Sequence, residues 1–151
     1  MEALVFIGMP GAGKSTFYRE RFFSTHLRIN LDQLRTRPRE GALIETCLRA
    51  RIRFVWDNTN ATRAVRAPTI ARAQSAGFRV HAFYFVPDYA GSVARNAARQ
   101  GKARVPNLAI SAIAGRLEAP SFEEGFASIF WVWNAGAGGF RVEEQFEKRR
   151  V

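Results

Sequence analysis

Gly8-Met9-Pro10-Gly11-Ala12-Gly13-Lys14-Ser15 is a complete G-x-x-x-x-G-K-[ST] loop, set between the apolar run Leu4-Val5-Phe6-Ile7 and the helix-prone Thr16-Phe17-Tyr18-Arg19-Glu20. A strand, a glycine-rich turn and a helix in that order gather backbone N–H groups and the positive end of the helix around one point, which suits the β-phosphate of a nucleotide. Glycines are needed because a side chain would hold the backbone away from the phosphate. Gly11, Ala12, Gly13, Lys14, Ser15 and Thr16 are the expected cradle. Lys14 is expected to reach the β- and γ-phosphates, and the Ser15 hydroxyl to ligate Mg²⁺. ATP with Mg²⁺ is thus the expected cofactor pair.

Outward from the loop, apolar runs alternate with helix-length segments. The reading gives a strand over 4–7, a helix from Lys14, a strand over 27–30, a helix over 40–50, a strand over 52–56, a helix over 62–76 and a strand over 80–86. Helices over 89–100 and 108–117 follow, separated by the basic loop 101–106, and then a last strand over 129–133. Unbroken apolar strands joined by helices imply a parallel sheet covered on both faces. The expected fold is α/β, a doubly wound sheet of the P-loop kinase kind with a small arginine-bearing lid. Asn134-Ala135-Gly136-Ala137-Gly138-Gly139 is a break in this pattern. The expected organisation is one domain over 1–133 and a short C-terminal segment, 134–151, that is a tail or an edge hairpin.

The chain has 151 residues, 47% of them hydrophobic, enough for the core of one domain. No apolar stretch is long enough to cross a bilayer, and the chain starts with Glu2 and a strand rather than a basic signal, so the expected location is cytoplasmic. Cys47 stands alone with His26 and His81, which leaves no disulfide framework and no zinc cluster to read. The net charge is +10, and arginines outnumber lysines 20 to 3. The guanidinium fork pairs well with phosphate oxygens, which points to a polyanionic partner, although scattered solvated arginines give the same count.

There are only three aspartates, Asp32, Asp57 and Asp88. Two follow strands, where the ligand crevice of an open parallel sheet lies, so Asp32 and Asp57 are expected to face the same cleft as Lys14. Asp32 is followed three residues later by Arg35, an acid–base and phosphate pair on one turn. Taken alone, Asp32 is better explained as a helix N-cap, a position that Asp favours strongly. Asp57 in Asp57-Asn58-Thr59-Asn60 suits a metal-holding role or a simple turn. Asp88 is read as the cap of the next helix. Arg95 and Arg99 are four residues apart and are expected on one face of a lid helix, where an anion between them would relieve their repulsion.

Together these motifs resemble the 5′-hydroxyl polynucleotide kinase domain, the kinase module of the polynucleotide kinase/phosphatase family. The likeness rests on Gly8 to Thr16, Asn30-Leu31-Asp32-Gln33-Leu34-Arg35, Asp57 to Asn60, Arg95-Asn96 with Arg99, Val105-Pro106, and Phe122-Glu123-Glu124-Gly125-Phe126. It implies Asp32 as the general base toward the 5′-hydroxyl and Arg35 as the holder of the neighbouring substrate phosphate. It also implies Arg95 and Arg99 as lid arginines on the ATP phosphates, with Lys14 and Arg99 among the catalytic groups. No D-x-D pair is present, so no 3′-phosphatase activity is expected. Nucleic-acid 5′-hydroxyl ends are the implied substrate, and a nucleic-acid ligase or another repair protein is the expected partner class. A kinase of a small metabolite, and a silent module that binds ATP and nucleic acid, are the alternatives that the residues leave open.

Overall fold

The computed structural model describes residues 1–101 and 104–148. Two residues of the basic loop, Lys102 and Ala103, and the last three of the C-terminal segment lie outside the described residues. The elements run β1 (Glu2–Ile7), α1 (Lys14–Arg21), β2 (Leu27–Ile29), α2 (Leu31–Leu34), α3 (Arg37–Ala50), β3 (Phe54–Asp57), α4 (Arg63–Ser75) and β4 (Arg79–Phe85). They continue with α5 (Tyr89–Ala97), α6 (Asn107–Arg116), a 3₁₀ turn (Phe122–Glu124), β5 (Ser128–Asn134) and β6 (Phe140–Gln145).

The six strands form one sheet in the order β2-β3-β1-β4-β5-β6. β2 through β5 are parallel, and β6 returns antiparallel against β5 with Trp133 opposite Arg141 and Asn134 opposite Phe140. Both faces of β1 are buried, which is why its sequence shows no alternation. Val5 and Ile7 pack with Trp56, Val80 and Ala82 under Ile44, Cys47 and Leu48 of α3 and Ile70 and Ala73 of α4. Leu4 and Phe6 pack on the other face with Val55, Phe83 and Phe85 under Phe17 and Tyr18 of α1. The sheet is therefore covered by helices on both sides. Among the described residues no helix is long and apolar enough to cross a membrane.

Several boundaries differ from those read in the sequence, each for a local reason. The second strand stops at Ile29 because Asn30 caps α2, its side chain accepting from the Gln33 amide. The third helix starts at Arg37 rather than Glu40, since Thr36 caps it and Pro38 fits its first turn. Ile52 and Arg53 fall outside β3, because Arg51 ends α3 in a left-handed conformation with φ 60°. The segment after Asn134 supplies β6, and Phe140 meets Phe17 of α1 with ring centroids 5.1 Å apart.

Candidate functional site

The loop between β1 and α1 is pinned by its neighbours and by a turn of its own. Gly8 N donates to Thr59 O, and Ala12 N to Met9 O. The amides of Gly13, Lys14, Ser15 and Thr16 make no hydrogen bond among the described residues. Gly13 occupies the cap position at φ 96° and offers no side chain to the first turn of α1. Four unspent donors and the helix dipole therefore converge on the same point. Gly11 (φ 79°) and Gly13 are required twice over, by backbone angle and by crowding. A Cβ on Gly11 would stand 2.6 Å from Ser92 O, and one on Gly13 2.5 Å from Asn134 Nδ2.

Lys14 folds back over this loop, its Nζ donating to Gly8 O at 2.8 Å and Met9 O at 2.9 Å. Burial lowers its pKa from the ordinary 10.5 to about 8. Arg99 and Arg28 push the same way, and Asp57 and Asp32 oppose them. The charges of Arg28, Arg99, Asp32 and Asp57 thus all act on one ammonium group.

The two strand-end aspartates are not alike. Asp57 ends β3 at 1% exposure, with Oδ2 bonded by Arg28 Nε at 2.7 Å. Arg28 Nη2 also donates to Ser15 Oγ at 2.7 Å. Asp57 Oδ1 is buried with no hydrogen-bond partner among the described residues. A hydroxyl and a carboxylate are the hard oxygen donors that Mg²⁺ takes, and the orphaned Oδ1 is the kind of atom a cation satisfies, so the donor set fits a divalent ion. Arg28, unremarked in the sequence, stands against both.

Asp32 is exposed, at the second position of α2. The cap reading fails for it because Asn30 already caps the helix, and its carboxylate has no hydrogen bond among the described residues. The turn that carries it is anchored through the residues after β3. Asn30 Nδ2 donates to Asp57 O, the Leu31 amide to Asn58 Oδ1, and Asn58 Nδ2 to Glu40 of α3. Asn60 adopts φ 48° and its amide reaches Phe6 O at 2.9 Å, which ties this turn to the base of the phosphate loop. Arg35 ends α2 at φ 74°, uncommon for a residue with a side chain, and its guanidinium is exposed.

On the other side of the loop, Arg95 Nε donates to Gly11 O at 2.5 Å. The expectation that Arg95 and Arg99 share a helix face is corrected, because α5 ends at Ala97 and Arg99 lies beyond it. Its charge still falls on Lys14. Asn96, fully buried, clamps the returning loop: Val105 N donates to its Oδ1 at 2.7 Å, and its Nδ2 to Val105 O. Asp88 caps α5 through the Gly91 amide, as read from the sequence.

Sequence reasoning missed three contributors. Arg28 is one arginine among 20 and carries no motif. Asn134 donates to Ala12 O at 3.2 Å across 122 residues, a contact that only the sheet order creates. Arg66 is fully buried, binds both oxygens of Glu124 at 2.8 and 3.0 Å, and donates to Asn60 O and Glu118 O. It locks the turn after β3 from behind.

The AAA domain family profile matches residues 38–120, from the first turn of α3 to just before the 3₁₀ turn and downstream of the phosphate loop. Among curated proteins, the chain is similar to the bifunctional polynucleotide phosphatase/kinase of Schizosaccharomyces pombe, at 26% identity over 132 residues. That alignment takes in 85% of this chain and 32% of the relative, so the chain spans about a third of the relative's length. Two solved structures share the fold. Chaetomium thermophilum Kti12, in complex with ADP-AlF3, aligns with TM-score 0.64 and 16% identity over 85% of this chain and 87% of that one. A chain of the PezAT toxin–antitoxin system of Streptococcus pneumoniae aligns with TM-score 0.63 and 16% identity over 87% of this chain and 68% of that one.

Proposed function

The chain belongs to the AAA domain family, and we propose that it is an ATP-dependent kinase that transfers the γ-phosphoryl group to the 5′-hydroxyl end of a polynucleotide. The observation that carries this reading is the carboxylate of Asp32, exposed, released from capping by Asn30, and close enough to Lys14 to act on its charge. The similarity to a polynucleotide phosphatase/kinase across 85% of the chain supports the choice of acceptor.

In this reading the unspent amides from Gly13 to Thr16 bind the β-phosphate, and Lys14 leaves the Gly8 and Met9 carbonyls for the β- and γ-oxygens. Arg95 and Arg99 sit over the same phosphates from the α5 side. Ser15 and Asp57 would hold Mg²⁺, which would supply charge neutralisation of the phosphate oxygens. Asp32 accepts the proton of the attacking hydroxyl as the hydroxyl oxygen bonds to the γ-phosphorus, while the bond from that phosphorus to the β,γ-bridging oxygen breaks and ADP leaves with its electron pair. Arg35, on the same turn, holds the next phosphate of the acceptor strand, and the +10 charge draws the polyanion in.

Incubation with labelled ATP, Mg²⁺ and 5′-hydroxyl DNA and RNA oligomers tests this directly. Label transferred to the oligomer end is expected, with KM rising steeply as salt increases. No transfer above background for either sugar overturns the reading, and a salt-independent acceptor KM points instead to a small uncharged acceptor.

A further inference from the structure

Arg28 projects from β2 into the space between two oxygen donors. Its Nε and Nη2 both lie 2.7 Å from Asp57 Oδ2, and Nη2 also reaches Ser15 Oγ at 2.7 Å. As the donor in these bonds, the guanidinium occupies lone pairs on the same two oxygens that a divalent cation needs. Hydroxyl and carboxylate cannot serve both in the same directions. The second carboxylate oxygen, Oδ1, is left buried and without a hydrogen-bond partner among the described residues, so the guanidinium does not exhaust this carboxylate.

Two further features bear on whether Arg28 can yield. Its side chain is 20% exposed where that of Asp57 is 1% exposed, so it approaches from the solvent side. Its guanidinium carbon lies 5.8 Å from the centroid of the Tyr18 ring, a face against which a displaced cation can rest. A doubly charged ion at Asp57 also repels a guanidinium only a few ångströms away.

We infer that Arg28 is a positioning residue that holds Ser15 and Asp57 in place by standing where the metal would bind, and that it sets the metal concentration at which nucleotide is bound. This rests on the nucleotide and Mg²⁺ part of the proposed function, not on the polynucleotide acceptor. When the divalent ion is absent, the guanidinium keeps the buried carboxylate paired and the hydroxyl oriented. When it enters with the nucleotide, Arg28 withdraws along β2 toward Tyr18.

The test is the affinity for a fluorescent ADP analogue, measured across a Mg²⁺ titration from excess EDTA upward, for the wild type, Arg28→Met and Arg28→Lys. Removing the competing cation in Arg28→Met is expected to lower the Mg²⁺ midpoint by about tenfold or more without improving binding in EDTA. Arg28→Lys, a point charge that cannot bond both oxygens at once, is expected to lower it by about threefold. A midpoint unchanged or raised in folded Arg28→Met overturns the inference. If Arg28→Met does not fold, Arg28→Lys decides by the same criterion, and an unshifted midpoint overturns it. Failure of the wild type to bind the analogue at any Mg²⁺ concentration refutes the nucleotide reading itself, a result distinct from an invariant midpoint with binding intact.

Discussion

The turns that follow β2 and β3 are tied to each other, the second also to the phosphate loop, and they treat their carboxylates in opposite ways. Asp57 is buried and bonded to Arg28, and its backbone carbonyl accepts from Asn30. Asp32, on α2, is exposed and bonded to nothing among the described residues. The contrast separates two tasks that both need an acid. A carboxylate that organises a site has to be desolvated and paired, because an unpaired buried charge is costly. A carboxylate that takes a proton from an arriving substrate has to be reachable and unspent. The first turn depends on the second, since Asn30 and Leu31 are fastened to Asp57 and Asn58.

The largest effect that could break this contrast is on stability. Asp57→Ala leaves Arg28 without its carboxylate partner and empties a buried position, and it is expected to cost about 3 kcal/mol in a denaturant melt. Asp32→Ala, at an exposed helical position, should change stability by no more than about 0.5 kcal/mol. Equal losses for the two variants would erase the distinction.

The next effect reverses the ranking. Asp32→Ala is expected to reduce turnover on a 5′-hydroxyl oligomer by about 10²-fold or more, with nucleotide affinity nearly unchanged. Steady-state kinetics beside nucleotide titration reads both quantities. A folded variant with wild-type turnover removes Asp32 from the chemistry.

The difference between the turns was only partly legible in the sequence. That Asp32 and Asp57 both stand at strand ends could be read because the chain has three aspartates and two follow apolar strands. Their opposite environments could not, because burial of Asp57 depends on Arg28 from a neighbouring strand and on the register Arg28 opposite Val55. Nor could α2 be separated from α3, since four residues show no helical period. β1 and β4 were readable because both of their faces are covered, whereas β6 alternates charged and apolar residues after a glycine-rich break that fits a tail as well as a strand. The support of Ala12 by Asn134 lies beyond any local pattern.

The ammonium group of Lys14 feels the carboxylates of both turns. Its pKa is lowered to about 8 chiefly by burial, against the opposing pull of Asp57 and the weaker pull of Asp32. A bound polyphosphate supplies negative charge and raises that pKa, so binding above pH 8 takes up a proton. Nucleotide affinity is therefore expected to be level below about pH 8 and to fall by up to about tenfold per unit above it. The unliganded fold responds with the opposite sign. Because the folded-state pKa lies below the ordinary 10.5, the contribution of Lys14 to stability is complete above 10.5 and is lost as pH falls through about 8. Calorimetry in buffers of different ionisation enthalpy measures the proton uptake. Its absence at pH 8.5 would mean that Lys14 does not meet the phosphates.

The smallest effect concerns backbone strain, which the two turns also handle differently. Asn60 at φ 48° is compensated, since asparagine tolerates the left-handed region and its amide is bonded to Phe6 O and Trp56 O. Arg35 at φ 74° has no such return, as its guanidinium is exposed and bonded to nothing among the described residues. Strain that no contact offsets is expected where a side chain has been placed for a ligand. Arg35→Gly should therefore stabilise the protein by about 1 kcal/mol, because glycine adopts positive φ without the Cβ conflict. The same change should raise KM for a 5′-hydroxyl oligomer that carries further phosphates, and leave ATP affinity alone. A variant that gains stability and keeps its acceptor KM would show that the strained turn serves the fold alone, and would leave Asp32 without its neighbour in substrate binding.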